Sequence, residues 1–431
     1  MKKFVVVLFV SISNIAVAQL PLSLNDAQQR ALQYNYEVQI VRNYTIASRL
    51  ENTYGNAGGL PSVDLNLRDQ ESLTDIDQKF SNGTEISRNG NASNNFNGQL
   101  LVNYTLFNGF RIRATRDRLN ALENAGEQNL LAQFQNTLAE VTIKYFDVVR
   151  QQRYRSALIR SKEFADQKLN IIDQRVKLGL SNDADLFQAR IDANTADQNL
   201  AEQDLFIHRA IVDLNSIMVV DLDTIYQLTD SMVIDREIIL DSVLTFVQKN
   251  PELQAILSQA KASEQIIQEI QSERLPSLRL DGGYSYNRTV NQAGFSLFNL
   301  STGPVIGATL QFPIYSGGAV RSREKVASLN AGNARLQASM TEQRLEAQAL
   351  KSFEAYQTAL GQLQQQEESY QLASRVLDIQ LERFSIGAST ILDLRAAQAS
   401  FEQAAGSLVN AKYIAKLSET ELKRLMCKLG N

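Results

Sequence analysis

Hydrophobic positions along the chain recur with two different periods. After Pro61, Val63, Leu65 and Leu67 alternate with Asp64, Asn66 and Arg68, which predicts a strand with one apolar and one polar face. Leu100, Val102, Tyr104 and Leu106 mark a partner strand. Further on, Leu278, Leu280, Tyr284 and Tyr286 alternate with Arg279, Asp281 and Ser285, and Ile306, Ala308, Leu310 and Phe312 share one face of a fourth strand. The expected strands cover about 61–72, 96–107, 276–287 and 303–314, with polar loops at 73–94 and 288–302. Elsewhere the period is helical. Residues near 24–55 and 237–273 read as helices, and 109–177 and 319–385 contain no proline. A helix of ~69 residues would be ~100 Å long at 1.5 Å per residue. Phe353, Tyr356, Leu360, Leu363 and Tyr370 keep 3-4 spacing with one miss at Glu367, the narrow seam of a coiled coil.

The chain contains itself twice. Asn35-Tyr36-Glu37 returns as Asn250-Pro251-Glu252, and Leu60-Pro61-Ser62 as Leu275-Pro276-Ser277, both at an offset of 250 − 35 = 215. Phe107-Asn108-Gly109 returns as Tyr315-Ser316-Gly317 at 315 − 107 = 208, as do Leu178-Gly179 (Ile386-Gly387) and Asp185-Leu186 (Asp393-Leu394). One change of offset means one insertion, placed between Pro61 and Phe107 where Asn, Gly and Ser are densest. The expected organisation is a first repeat over 19–220 and a second over 221–431, each running helix, two strands, very long helix, short turn, helix.

The start of the chain changes the setting. Lys2 and Lys3, an apolar Phe4–Val10 and Ala16-Val17-Ala18 form an export signal over 1–18, so Gln19 is the expected mature start. No later segment approaches the ~20 uninterrupted apolar residues of a membrane helix. With 43 basic and 47 acidic residues there is no basic face, and nucleic acid is not an expected partner. Cys427 is the only cysteine and His208 the only histidine, and no phosphate loop, dinucleotide fingerprint, zinc motif or nucleophile elbow occurs. No enzyme activity, cofactor or metal is expected.

Each expected strand is long enough to cross a bilayer when tilted. Four strands cannot close a barrel, and an open edge in lipid leaves backbone groups unpaired. Copies must therefore share one barrel. Two copies give eight strands and a filled interior; three give twelve and a wider lumen. The fold class expected is mainly α with a membrane β-barrel: a long antiparallel coiled-coil α-barrel plus four strands per protomer, with an internal two-fold repeat.

Nearly the whole mature chain resembles the TolC-like outer membrane efflux protein family. The duplicated plan carries the resemblance, together with the paired Leu-Pro-Ser entries, Phe312-Pro313-Ile314-Tyr315-Ser316-Gly317-Gly318 at a strand exit, and Phe384-Ser385-Ile386-Gly387 leading into Asp393. The resemblance implies a homotrimer with a twelve-strand barrel in outer-membrane lipid and a tapering periplasmic tunnel. It also implies work with a periplasmic adaptor and an inner-membrane transporter, proton-driven or ATP-driven. Gly179, Leu180, Gly387 and Ala388 fall on the tip turns that would meet the adaptor. In some members two aspartates a turn apart close the tip. Asp393 matches the first, and Ala396 stands at the second. The latch tyrosine and arginine of such members match Phe384 and Ser389, whereas the acceptor, Asp185, is retained. A gate built differently is expected. Asp393 reads either as a ring of three carboxylates, with Arg395 a partner, or simply as an acid favouring a helix start. A non-conducting structural or adhesive outer-membrane protein is the competing reading; it differs in lacking a continuous lumen.

Overall fold

The computed structural model describes residues 20–430. The expected signal at 1–18 and the mature start at Gln19 lie outside the described residues. The chain forms two compact units. One gathers residues up to Gln39, Gln133–Asn250 and Leu345 onward; the other gathers Ile40–Ala132 and Pro251–Arg344.

The second unit carries the sheet. It comprises β2 (Ser62–Lys79), β3 (Glu85–Asn108), β5 (Ser277–Asn291) and β6 (Phe298–Gln311), antiparallel in the order β2-β3-β5-β6. Four expectations about the sheet needed correction. The loop placed at 73–94 is almost all strand, pairing from Thr74↔Asn91 to Lys79↔Glu85 around a turn at 80–84. Backbone pairing needs no apolar side chain, so a hairpin polar on both faces shows no period and reads as loop. The loop at 288–302 likewise shrinks to 292–297. At the other end, β6 stops at Gln311, before Pro313, which has no N–H to donate. The alternation through Leu106 fails as well. A bulge between Thr105 and Phe107 leaves Leu106 without a partner on β5 and sets Phe107 opposite Leu278.

Helix α2 (Tyr36–Glu51) and α6 (Pro251–Ser272) belong mainly to this unit. The expected helices at 24–55 and 237–273 each break at the asparagine that recurs at the common offset. Asn35 ends α1 (Leu24–Tyr34) and its side chain accepts from the N–H groups of Glu37 and Val38 at 2.9 and 3.3 Å, capping α2. Asn250 separates α5 (Leu240–Val247) from α6, where Pro251 occupies the first turn.

The two long helices are α3 (Arg111–Lys177) and α7 (Ala319–Ser385), each 67 residues. From Gln133 and from Leu345 onward they join α4 (Asp183–Met218) and α8 (Ile391–Leu425) in the first unit. Here Val141, Tyr145, Phe146 and Val148 of α3 bury against Ala210, Ile211, Leu214 and Met218 of α4 and Ala27 and Ala31 of α1. A parallel pair, β1 (Leu20–Leu22) and β4 (Tyr226–Leu228), crosses this cluster. The segment after β4 is clamped from both long helices. The Tyr145 hydroxyl donates to the Asp230 carboxylate at 2.8 Å, and the Tyr356 hydroxyl donates to the Asp235 carbonyl at 2.5 Å. Burial pushes the Tyr145 phenol up to about 12. Of the expected seam on α7, Tyr356 and Leu363 are buried, with Ala359 between them.

Candidate functional site: sheet faces and helical tip

The sheet separates its side chains by chemistry. Cross-strand partners share a face. Val63↔Val102, Leu65↔Leu100, Tyr104↔Leu280 and Leu280↔Ala308 put one apolar layer on all four strands. Asn66↔Gln99, Asn103↔Asp281 and Arg279↔Thr309 put a polar layer on the other. The apolar layer has nothing over it: Leu65 is 65% exposed, Leu310 71% and Ile306 90%. Strands β2 and β6 are each paired on one side only. An uncovered apolar face with two open edges is unstable in water for two separate reasons, lost hydrophobic burial and unpaired backbone groups. Among the described residues no helix is long and apolar enough to cross a membrane.

The tip lies within the first unit. Helices α3 and α7 end in the same way. Gly179 takes φ 68° and Gly387 φ 82°, the left-handed region that costs glycine nothing. The N–H of Leu180 then donates to the Arg175 carbonyl and that of Ala388 to the Arg383 carbonyl, both at 2.8 Å, which closes two identical turns. Apolar side chains project from them: Leu178, Leu180, Ile386 and Leu392 are exposed.

Each returning helix starts on an acid three residues past its cap. The side chain of Asn182 accepts from the Asp185 N–H at 2.9 Å, and Ser181 Oγ donates to Asp185 Oδ2 at 2.9 Å. Thr390 and Asp393 form a reciprocal capping box, with Asp393 Oδ2 accepting from Thr390 N–H at 3.0 Å and from Thr390 Oγ1 at 2.8 Å. These bonds from Thr390, with Arg383 nearby, hold the Asp393 carboxyl below the usual carboxylate range. Within one chain Arg395 lies on Asp192, not on Asp393. Two residues on along a helix, it points elsewhere, and its Nε pairs with Asp192 Oδ2 at 3.3 Å.

The positions matched to the family's latch are used differently. Phe384 is buried among Phe164, Ile172, Leu377, Leu394 and Phe401. Arg175 stacks over its ring at 4.7 Å and donates to its carbonyl at 2.5 Å, tying the end of α3 to the end of α7. Ser389 only donates back to the Gln380 carbonyl at 3.4 Å. Sequence reasoning missed Arg175, and with it Lys168 and Asp192. Periodicity places a residue on a face; it does not say which helix that face meets. The one available signal was Lys168 falling on an otherwise apolar stripe with Phe164 and Ile172.

The family model described as "Outer membrane efflux protein" matches residues 27–218 and 245–428. The chain is similar to outer membrane protein TolC of Escherichia coli, 26% identical over 82% of this chain and 73% of that one. It is similar to the Vibrio cholerae TolC at 27% identity over 69% and 68%. Its fold resembles the crystal structure of the Campylobacter jejuni CmeC outer membrane channel, with a TM-score of 0.77 at 19% identity, covering 94% of this chain and 85% of that one.

Proposed function

The chain belongs to the outer membrane efflux protein family, so it is an outer-membrane efflux channel and not a member of an enzyme family, and we propose that three copies of it assemble one conduit. Four strands per copy give a twelve-strand barrel, wide enough for a wet lumen. The apolar layer through Leu65, Leu280 and Ile306 faces lipid, and the polar layer through Asn66, Gln99 and Asp281 faces water. The observation that carries this reading is the sheet itself, amphipathic and open at both β2 and β6. Pairing β2 of one copy with β6 of the next satisfies both edges at once, as lipid requires.

The helices stand in the periplasm, since they are too polar for the bilayer. There α3, α4, α7 and α8 of three copies line a tunnel that narrows at the tip turns. The exposed Leu180 and the turns at Gly179, Gly387 and Ala388 meet a periplasmic adaptor, which links the channel to an inner-membrane transporter. The duplicated element order, with long helices of equal length, supports two structural repeats at 19–220 and 221–431. Asp393 sits at the constriction as a capping residue whose carboxylate stays ionised at neutral pH.

Purified protein in a planar bilayer tests the conduit: discrete, ohmic current steps are expected. An oligomer that inserts in the bilayer and carries no current would favour the structural or adhesive reading and overturn this one.

A further inference from the structure

The helices of the first unit border a cavity of about 440 Å³, within the roughly 300–1,000 Å³ of small-molecule sites. On α3, Val149, Arg153 and Arg160 line it at spacings of four and seven, one helix face about 16 Å long at 1.5 Å per residue. Leu408 and Lys412 line it four apart on α8, and Ser231-Met232 come from the segment after β4. Ala157 of α3 and Ala405 of α8 also line it, and side chains this small leave the volume open.

The charges of the lining have one sign. Arg150, Arg153, Arg160 and Lys412 all face the cavity, and among the described residues no aspartate or glutamate lines it. Two of these cations are held firmly by other groups. Arg150 donates to Asp147 at 2.8 Å and to Asn410 at 3.0 Å. Arg160 donates to both carboxylate oxygens of Asp378, at 2.9 and 3.0 Å. Lys412 is held loosely, its Nζ 3.5 Å from Glu367, too long for a strong hydrogen bond. Arg153 makes no hydrogen bond or ion pair with any described residue. The contrast is Lys168, whose side chain has no exposed surface and whose Nζ lies 2.6 Å from Asp192 Oδ2 on α4. That cation is neutralised within the chain; Arg153 is not.

The rest of the lining is apolar. Val149, Met232, Leu408 and Val409 contribute to it, with Met232 packed on the cluster around Tyr145 and Met218, and Leu408 on that around Ala359 and Leu363. An inorganic anion would satisfy Arg153 and leave these side chains wet. A neutral oil would dry them and leave the guanidinium without a partner. We propose that the cavity binds an amphiphilic organic anion, with its carboxylate or sulfonate head on Arg153 and Lys412 and its apolar body along Val149, Met232 and Leu408. A guanidinium gives such a head two parallel N–H bonds. Like-signed charges in a cleft with apolar walls raise the local concentration of the anion. The bound molecule bridges α3, α8 and the segment after β4. The site is separate from the tip turns and does not depend on conduction.

The test uses the full-length purified oligomer in neutral detergent and follows binding by equilibrium dialysis. The probes are decanoate, decanol as the apolar body without the charge, and acetate as the charge without the body. Decanoate should bind saturably, with one site per chain, and more tightly than either control. Arg153→Glu should weaken it by about tenfold or more, and Arg153→Lys should stay near wild type. Arg153 is exposed, so neither variant should move the temperature at which the oligomer dissociates. Decanol or acetate bound as tightly as decanoate would overturn the amphiphile, since one half of the lining would then contribute nothing. Equal decanoate binding by wild type and Arg153→Glu would mean partition into the detergent shell and overturn the site. A wild-type oligomer that conducts and shows no saturable decanoate binding would overturn the site and leave the conduit intact.

Discussion

At the scale of single residues, Asp393 and Lys168 show how single charges serve different ends. Asp393 is exposed and bonded to Thr390, so its lowered titration stabilises the α8 start above the ordinary carboxylate range. That stabilisation is lost as pH falls through the lowered value. Asp393→Ala in the purified oligomer should weaken cation preference and block by a trivalent cation, read in bilayer recordings. Unchanged selectivity and block would confine Asp393 to capping. Lys168 is the opposite case. Lys168→Met leaves Asp192 with the half-exposed Arg395 as its one cation beside the Gln188 amide, and a destabilisation of about 3 kcal/mol is expected from breaking a buried pair. Denaturant titration of the oligomer measures it, and a variant as stable as wild type would show that water already compensates Asp192.

At the scale of elements, the strand register makes a sharp claim. Leu280 lies opposite Ala308 and Tyr104 on the apolar layer, and the next residue, Asp281, lies opposite Gly307 and Asn103 on the polar one. Leu280→Arg should hamper assembly, with a midplane cost of about 2–4 kcal/mol per site. Asp281→Arg should assemble normally and change conductance. Equal yields of assembled oligomer from the two variants would put lipid on the wrong face. The long β2–β3 hairpin is a different matter. Beyond Ser93↔Asn291 it has no third strand beside it, and both its faces are polar. Shortening it across 76–88 should leave assembly unaffected, as judged by heat-modifiable migration in gels.

At the scale of the whole molecule, one chain cannot satisfy its own sheet. A heat-labile trimer in the outer-membrane fraction is expected, because edge pairing and lipid burial are both available only to the assembly. A soluble periplasmic monomer at physiological expression would sink that expectation. Docking of an adaptor at the tip turns should be lost on Leu180→Asp with no change in trimer yield, measured by co-purification of the adaptor with the channel.

The sequence by itself did not determine the breaks at Asn35 and Asn250 or the small β1–β4 pair; it did determine the order of the four sheet strands and the two long helices, the two faces of the sheet, and the turns that end α3 and α7. These depend on short-range chemistry: a period of two around Leu65 and Leu280, proline-free runs, a glycine at φ 82° after α7. It could not set strand ends where both faces are polar, as at 73–94, because the signal there is backbone pairing alone. Nor could it see the bulge that displaces Leu106, since inserting one residue is a matter of fitting β3 to β5. The ion pairs of Asp192 with Lys168 and Arg395 belong wholly to tertiary structure. Lys168, Asp192 and Arg395 lie on three different helices, and their charges became a site only when packing removed the water around Lys168.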